Sequence, residues 1–395
     1  MKKDFFIYQA QTSSKPLALE ISKASGCYVY DKHGKEYLDF IAGVSANTLG
    51  HNHPIISQAI KNQVDKYTHV MVYGEFIQQP QVDLTKLLAT NLPNSLETVY
   101  LTNSGTEATE GALKLAKRFT GRHEIIAAKN GYHGNTQGAM SVCGAEEKNS
   151  AFRPLIPGIK FIEFNNLVDL EKITTKTAGV ILETIQGGAG FIEPANDYLK
   201  KVLAKCNKVG ALLILDEIQS GIGRTGKLFG FENYNVIPHI IVTGKGLGGG
   251  MPIGAFISSN EIMSCLKEHP KLGHITTFGG HPVIAAAAHA NLKELLHSDL
   301  ISETLNKELL FKKLLIHPLI TEIRGKGLML AAMVESSEIA SKVILNCLDN
   351  GLLLFWLLFE GKAIRITPPL TITEDEIYKG CNIIIESLNK ILSDY

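Results

Sequence analysis

Lys245 leaves the apolar, β-branched run Ile240-Ile241-Val242-Thr243 and is followed by four glycines within five residues, Gly246-Leu247-Gly248-Gly249-Gly250. Burying a lysine as an ammonium is costly, so one at the mouth of a buried strand needs a reason. Desolvation lowers the pKa of such an amine and suits it to forming a Schiff base with a carbonyl. The glycines let the backbone turn tightly and a ligand come close. Taken alone, a solvated loop lysine after a strand is the better reading, and other residues must decide.

Asn103-Ser104-Gly105-Thr106-Glu107-Ala108 follows a strand pattern and opens a helical one. Free N–H groups and the positive end of the helix dipole make such a turn an anion site, to which Ser104 and Thr106 add hydroxyls. An ordinary N-cap has the same residues. Asp216 ends the strongly apolar Leu212-Leu213-Ile214-Leu215, where a buried carboxylate needs a partner such as a protonated ring nitrogen. Capping of the following turn is an equal alternative. Gly221-Ile222-Gly223-Arg224-Thr225-Gly226 matches a dinucleotide-binding spacing and raises an oxidoreductase alternative, but no helical pattern follows it. The Lys245 segment is no P-loop, because Gly246 stands where a magnesium-binding hydroxyl is required. His51-Asn52-His53-Pro54 reads as structural, and no set of metal ligands is expected. Arg365 interrupts the apolar strand pattern of Ala363-Ile364-Arg365-Ile366. It is either a carboxylate clamp or, on its own evidence the better reading, an edge-strand charge facing water.

These residues must be held by elements that the chain can be seen to encode. Of 395 residues, 45% are hydrophobic and 20% charged, an ordinary globular composition. Lys+Arg and Asp+Glu both number 39, so the zero net charge argues against a nucleic-acid or anionic-membrane binder and for small-molecule work. Six scattered cysteines without a C-x-x-C pattern suggest reduced thiols, and the N-terminus lacks a signal-peptide core, so a soluble cytoplasmic protein is expected. The longest apolar run, residues 352–359, is too short to span a bilayer.

Strand patterns at residues 97–101, 124–128, 160–164, 180–183, 212–216, 240–243 and 253–258 alternate with helical ones such as 107–119 and 197–209. That order predicts an α/β fold with a mostly parallel sheet covered on both faces, with ligands at the carboxyl ends of its strands. From about residue 285 amphipathic helices (285–296, 301–315, 338–350, 374–392) surround two strands, 328–334 and 362–366. The expected division is a segment 1–55 packing with a small C-terminal α/β domain, 285–395, and a large domain, 56–284.

Together the motifs resemble the class III (ω-amino acid) aminotransferases, pyridoxal-phosphate enzymes of fold type I that include acetylornithine, ornithine and 4-aminobutyrate aminotransferases. The likeness runs from about residue 20 to 387 and rests on six separated motifs in the family's order: Gly50-His51-Asn52-His53-Pro54, residues 103–108, Gly131-Tyr132-His133-Gly134, Asp216-Glu217-Ile218-Gln219 with its glycine loop, Lys245, and Thr276-Thr277-Phe278-Gly279-Gly280. It implies a seven-stranded large-domain sheet and a homodimer with shared active sites. Lys245 would hold pyridoxal 5'-phosphate as a Schiff base, and Asp216 would keep its ring nitrogen protonated. Gln219 would bond the ring hydroxyl, and Tyr132 and Ile218 would pack on its faces. Gly105 and Thr106, with Ser104 beside them, would hold the phosphate, joined by Thr277 of the neighbouring subunit. Val44, Thr276, Asn135 and Arg365 would lie near the substrate.

The resemblance implies ping-pong transfer of an amino group from an ω-amino acid or amine to a 2-oxo acid, with an aminomutase as the alternative on the same cofactor. Four positions depart from the family pattern. Thr184 replaces a usual proline, Gly188 a usual glutamate, Asn135 a usual arginine and His281 a usual asparagine. The donor, and pyruvate against 2-oxoglutarate as acceptor, stay open at this level.

Overall fold

In the computed structural model, which describes residues 1–393, the apolar runs between residues 98 and 258 become one sheet. An N-terminal helix, Lys2–Tyr8, precedes three short strands, β1 (Ile21–Ser25), β2 (Tyr28–Asp31) and β3 (Glu36–Asp39). The large sheet then uses β4 (Thr98–Thr102), β5 (Glu124–Ala128), β6 (Ile159–Ile162), β7 (Thr177–Glu183), β8 (Leu212–Asp216), β9 (Ile240–Gly244) and β10 (Gly254–Ser258). Their order across the sheet is β4-β10-β9-β8-β7-β5-β6. Neighbours from β9 to β6 are parallel, whereas β10 runs antiparallel between β4 and β9.

Strands buried on both faces read as continuous apolar runs, and their alternation decides which residue meets which layer. Ile125, Ile181, Ile214 and Val242 point to one side, where the helix Gly105–Thr120 packs Ala108, Ala112, Leu115 and Ala116 against them. Ile126, Val180, Leu213 and Ile241 point to the other side, into the core shared with the helices Tyr198–Val209 and Pro282–His297. Each fully buried Ile or Leu contributes roughly 1.5–3 kcal/mol, so the sheet is a rigid platform for whatever sits at its edge.

The C-terminal part adds β11 (Ile320–Lys326), β12 (Met329–Val334), β13 (Leu352–Leu353), β14 (Phe355–Trp356) and β15 (Ala363–Ile366). β11, β12, β15 and β14 form a second sheet in that order, flanked by the helices Leu300–Leu314, Ser337–Asp349 and Glu374–Ser393. The third sheet, β1-β2-β3-β13, joins residues far apart in sequence, since Leu352 pairs in parallel with Leu38. Three findings add to or differ from the sequence expectations. β11 is a strand that charged Glu322, Arg324 and Lys326 conceal, as suits an edge position. The apolar run 352–359 is not one element: β13 joins the N-terminal sheet and β14 the C-terminal one. Arg365 lies on β15, which sits between β12 and β14, so the edge-strand alternative does not hold.

The first residue of β10 is held between two strand ends, Gly254 facing Thr102 on one side and Gly244 on the other. A Cβ there would lie 2.1 Å from the Ser104 carbonyl oxygen, which accepts the first backbone bond of the helix Gly105–Thr120. Gly254→Ala is therefore expected to cost roughly 1–3 kcal/mol of stability by overpacking against backbone. Thermal unfolding checks this, and an unchanged melting temperature contradicts it.

Candidate active site

Three parallel strands end in chemistry-bearing residues on the same edge of the large sheet. β7 ends in Glu183 and β8 in Asp216, directly paired in register, and Lys245 follows the last residue of β9. Beside them opens a cleft of about 460 Å³ lined by residues of the large sheet's loops and of β14 and β15. Lys245 takes a left-handed φ of +39°. The turn after it is held from behind: Thr48 Oγ1 donates to the Gly246 carbonyl at 3.1 Å and Asn291 Nδ2 at 2.8 Å. Gly246 is needed because a Cβ would lie 2.6 Å from Thr48 Oγ1. Burial pushes the Lys245 amine below the ordinary lysine range; Asp216 opposes the shift, Arg365 adds to it and Glu183 opposes it. A neutral amine at the end of a buried strand is a nucleophile toward carbonyls.

Asp216 is 4% exposed and its two oxygens are oriented from within the protein. His133 Nδ1 donates to Oδ2 at 2.8 Å, and the Ile218 N–H donates to Oδ1 at 3.0 Å. A carboxylate accepts about four hydrogen bonds, so it can take another donor from the cleft. Glu183 accepts N–H groups of Gly187 at 2.9 Å and Tyr132 at 3.1 Å. Burial pushes its carboxyl up to about 7; His133 resists this, Asp216 adds to it, and the two N–H groups resist it. Adjacent carboxylates at the end of apolar strands thus have different environments.

The anion end of the cleft is the start of the helix Gly105–Thr120. Ser104 caps it, its Oγ accepting the Glu107 N–H at 3.3 Å. Gly105 leaves room for Ile218, whose Cδ1 would be 2.6 Å from a Cβ. Thr106 Oγ1 lies 2.8 Å from Thr136 Oγ1 and accepts the Thr136 N–H at 3.2 Å. Gly134, with φ +127°, passes so close that a Cβ would lie 2.2 Å from Thr106 Oγ1. Gln219 Nε2 donates to Ser45 Oγ at 3.3 Å. A planar phosphorylated aldehyde fits this donor set: an amine for its carbonyl, a helix start for its phosphate, and Tyr132 and Ile218 as apolar walls.

Lys245, Asp216, Gly105, Thr106, Tyr132, Ile218, Gln219, Asn135, Val44 and Arg365 all line this one cleft. Ser104, Thr276 and Thr277 do not. Ser104 serves as the helix cap, and Thr276 Oγ1 accepts from Asn103 Nδ2 at 3.1 Å and from the Gly279 N–H at 3.0 Å. Thr277 is exposed on the surface. Arg365 is 5% exposed, and its Nε and Nη1 are buried without a partner. Burial holds its guanidinium down, to about 10. The sequence reading gave no role to His133 or Glu183. A signal for Glu183 was present, since it ends an apolar strand just as Asp216 does; His133 had none beyond its place after Tyr132. The 221–226 glycine loop forms turns without a helix, and it buries Arg224, whose Nη1 donates to the Leu328 and Pro368 carbonyls. Among the described residues no group of His, Cys, Asp and Glu could hold a metal ion, and His51 instead bonds Asp39 at 2.7 Å.

An amine desolvated at a strand end, opposite a carboxylate and beside a helix start, defines a Schiff-base enzyme of the pyridoxal-phosphate type. Residues 8–388 match the class-III aminotransferases, and the chain belongs to that family: it is a transaminase that works with pyridoxal phosphate. It is 38% identical to the acetylornithine aminotransferase of Caldanaerobacter subterraneus subsp. tengcongensis, with 93% of this chain and 94% of the relative covered. The Clostridium acetobutylicum acetylornithine aminotransferase is 39% identical, covering 93% and 95%. The crystal structure of the Toxoplasma gondii ornithine aminotransferase superposes with a TM-score of 0.92 at 31% identity, covering 100% of this chain and 96% of that one. A second structure of the same enzyme has pyridoxal phosphate in its active site at partial occupancy.

Because the folded state keeps the Glu183 proton up to about pH 7 while the unfolded chain loses it near 4.5, the wild type loses stability as pH rises through that window. Glu183→Gln removes this dependence. Its melting temperature relative to wild type is expected to be higher at pH 8 than at pH 5, as scanning fluorimetry on both proteins can measure.

Proposed function

We propose that the cleft moves an amino group from an ω-amino acid or amine to a 2-oxo acid in two half-reactions, with Lys245 as the residue that carries the cofactor. The single observation that carries this reading is the buried Lys245 amine, its pKa lowered by desolvation, in one cleft with Asp216 and the unpaired guanidinium of Arg365. When bound, pyridoxal phosphate takes up the amino group, and its protonated ring draws in the electron pair left as the substrate's C–H bond breaks. Asp216, aligned by His133, holds the proton on the ring nitrogen. Gln219 bonds the ring hydroxyl, Tyr132 and Ile218 enclose the ring, and Gly105 and Thr106 hold the phosphate. Lys245 Nζ would hold the cofactor between turnovers and, with substrate bound, would be the base that takes the proton from the substrate carbon. Arg365 grips a substrate carboxylate, with Val44 and Asn135 nearby. The acetylornithine aminotransferase relatives and the ornithine aminotransferase neighbour support a donor of the ω-amino type.

The same reading makes the enzyme a homodimer in which Thr277 serves the partner's phosphate site. Two features support this. Thr277 is exposed and outside its own cleft, and the surface beside it is apolar, with Phe278 52% and Ile77 95% exposed. The segment 69–78 and the 276–278 turn meet there through His69, whose ring lies 4.8 Å from that of Phe278. Apolar side chains this exposed mark an interaction surface. No described helix is long and apolar enough to cross a membrane, and the balanced charge suits a cytoplasmic enzyme of small-molecule metabolism rather than a nucleic-acid or membrane binder. The division into residues 1–55, 56–284 and 285–395 belongs to the same proposal.

A donor panel tests the reaction. A competent donor bleaches the long-wavelength absorbance of the cofactor-loaded enzyme, an added 2-oxo acid restores it, and borohydride fixes the cofactor on the peptide containing Lys245. Lys245→Ala is expected to lose on the order of 10⁴-fold in turnover. If no donor changes the spectrum and no adduct forms on Lys245, the reading is wrong, and turnover without any external 2-oxo acid would point to an aminomutase. Separately, Ile77→Asp with Phe278→Asp is expected to shift sedimentation from dimer to monomer, and a monomeric wild type would refute the shared site.

A further inference from the structure

The cleft holds its positive charge at one place. Among the described residues that line it, the basic side chains are Lys245, His133 and Arg365. His133 Nδ1 is spent on Asp216, and on the reading above Lys245 is spent on the cofactor. Arg365 keeps free donors, Nε and Nη1, in a side chain 5% exposed and with no partner; His133 Nε2 is also unpartnered, but in the neutral tautomer that donates from Nδ1 it carries no hydrogen. An arginine fork so placed is completed by one planar anion. A second anionic group on the same ligand would meet Glu183 and Asp216, or uncharged Asn135, in place of a cation.

Around Arg365 the wall is hydrocarbon. The β14–β15 register sets Phe355 opposite Arg365, and directly opposed residues share one face of a sheet. Phe355 is 40% exposed, Leu358 48% and Val44 36%, and all three line the cleft. Next to them the Phe359 N–H donates to the Gly188 carbonyl at 2.9 Å. A Cβ on Gly188 would lie 2.9 Å from the Phe359 ring, so the ring occupies the space a side chain at 188 would need. This part of the wall therefore presents aromatic surface and no acid to pair with Arg365.

We propose that the cleft selects acceptors with a single carboxylate, held by Arg365, and an uncharged hydrocarbon or aromatic remainder lying on Phe355, Leu358 and Val44. The acceptor class is then monocarboxylic 2-oxo acids, with dicarboxylic ones disfavoured. The inference rests on the transaminase reading: the acceptor's C=O oxygen leaves as water, the amino group taken from the donor replaces it, and Lys245 delivers a proton to that carbon. The electron pair of the new C–H bond is the one given up when the donor's C–H bond broke, so the donor carbon is oxidised and the acceptor carbon reduced.

Trp356, the sole tryptophan, lines the cleft and reports binding without turnover. Titrating the cofactor-loaded enzyme with unreactive isocaproate, hydrocinnamate and glutarate is expected to show the two monocarboxylates binding at least about tenfold tighter than glutarate, with Arg365→Gln abolishing all three responses. In turnover, kcat/KM for pyruvate and phenylpyruvate is expected to exceed that for 2-oxoglutarate by at least about tenfold. Phe355→Ala should weaken phenylpyruvate selectively through KM, and Asn135→Arg should raise the use of 2-oxoglutarate. Glutarate binding as tight as isocaproate, 2-oxoglutarate as the preferred acceptor, or no Arg365-dependent binding of any carboxylate overturns the proposal. Failure of the transaminase reading is distinct: no donor would then bleach the cofactor absorbance, while the fluorescence titration would still report selectivity at Arg365.

Discussion

Desolvation of the Lys245 amine is the constraint on which the rest of this structure depends. An ammonium in water is a poor nucleophile, and burial at the end of an apolar strand shifts the Lys245 amine away from that state. Burial of this kind needs a rigid surround, supplied by the two-sided core of the seven-stranded sheet. It also needs a backbone that turns sharply at residue 245, with the Gly246 and Leu247 carbonyls taken by Thr48 and Asn291. The glycines after Lys245 are explained by these close approaches more than by flexibility, since a Cβ on Gly249 would lie 2.6 Å from Ile56.

The neighbouring charges are arranged to tolerate the burial. Asp216 and Glu183 end adjacent strands in register, and two carboxylates so close would repel if both were ionised. Burial, with Asp216 beside it, pushes the Glu183 carboxyl up to about 7, and His133 and two backbone N–H groups resist that shift. Arg365 enters the cleft from β15, so the C-terminal sheet contributes a buried cation to it. Residues of the large sheet's strand ends and of β14 and β15 line this one cleft, and the short apolar run 352–359 is divided between two sheets.

Much of this was legible in the residues. The strands at 124–128 and 212–216 were read with their observed bounds, because runs buried on both faces leave an uninterrupted apolar signature. The amphipathic C-terminal helices were likewise visible through their periodicity, to within a few residues at each end. β11 was not visible, because an edge strand with alternating charged residues lacks that signature. Of the residues expected at the site, those on strand ends and tight turns came together. Ser104 and Thr276 did not, since their hydroxyls serve a helix cap and a turn, and Thr277, expected at a neighbouring subunit's site, faces outward.

The sequence by itself determined the reaction class through its resemblance to the class III aminotransferases, carried by six separated motifs in the family's order, among them a helix start, a carboxylate ending one strand and a lysine following another. Only the tertiary structure decided the rest. That His133 orients Asp216, that Glu183 stands beside it, that Arg365 is buried rather than edge-exposed, and that Phe359 fills the space over Gly188 are all contacts between residues distant in the chain. Local periodicity reports which face of an element is buried. Only packing reports what it is buried against.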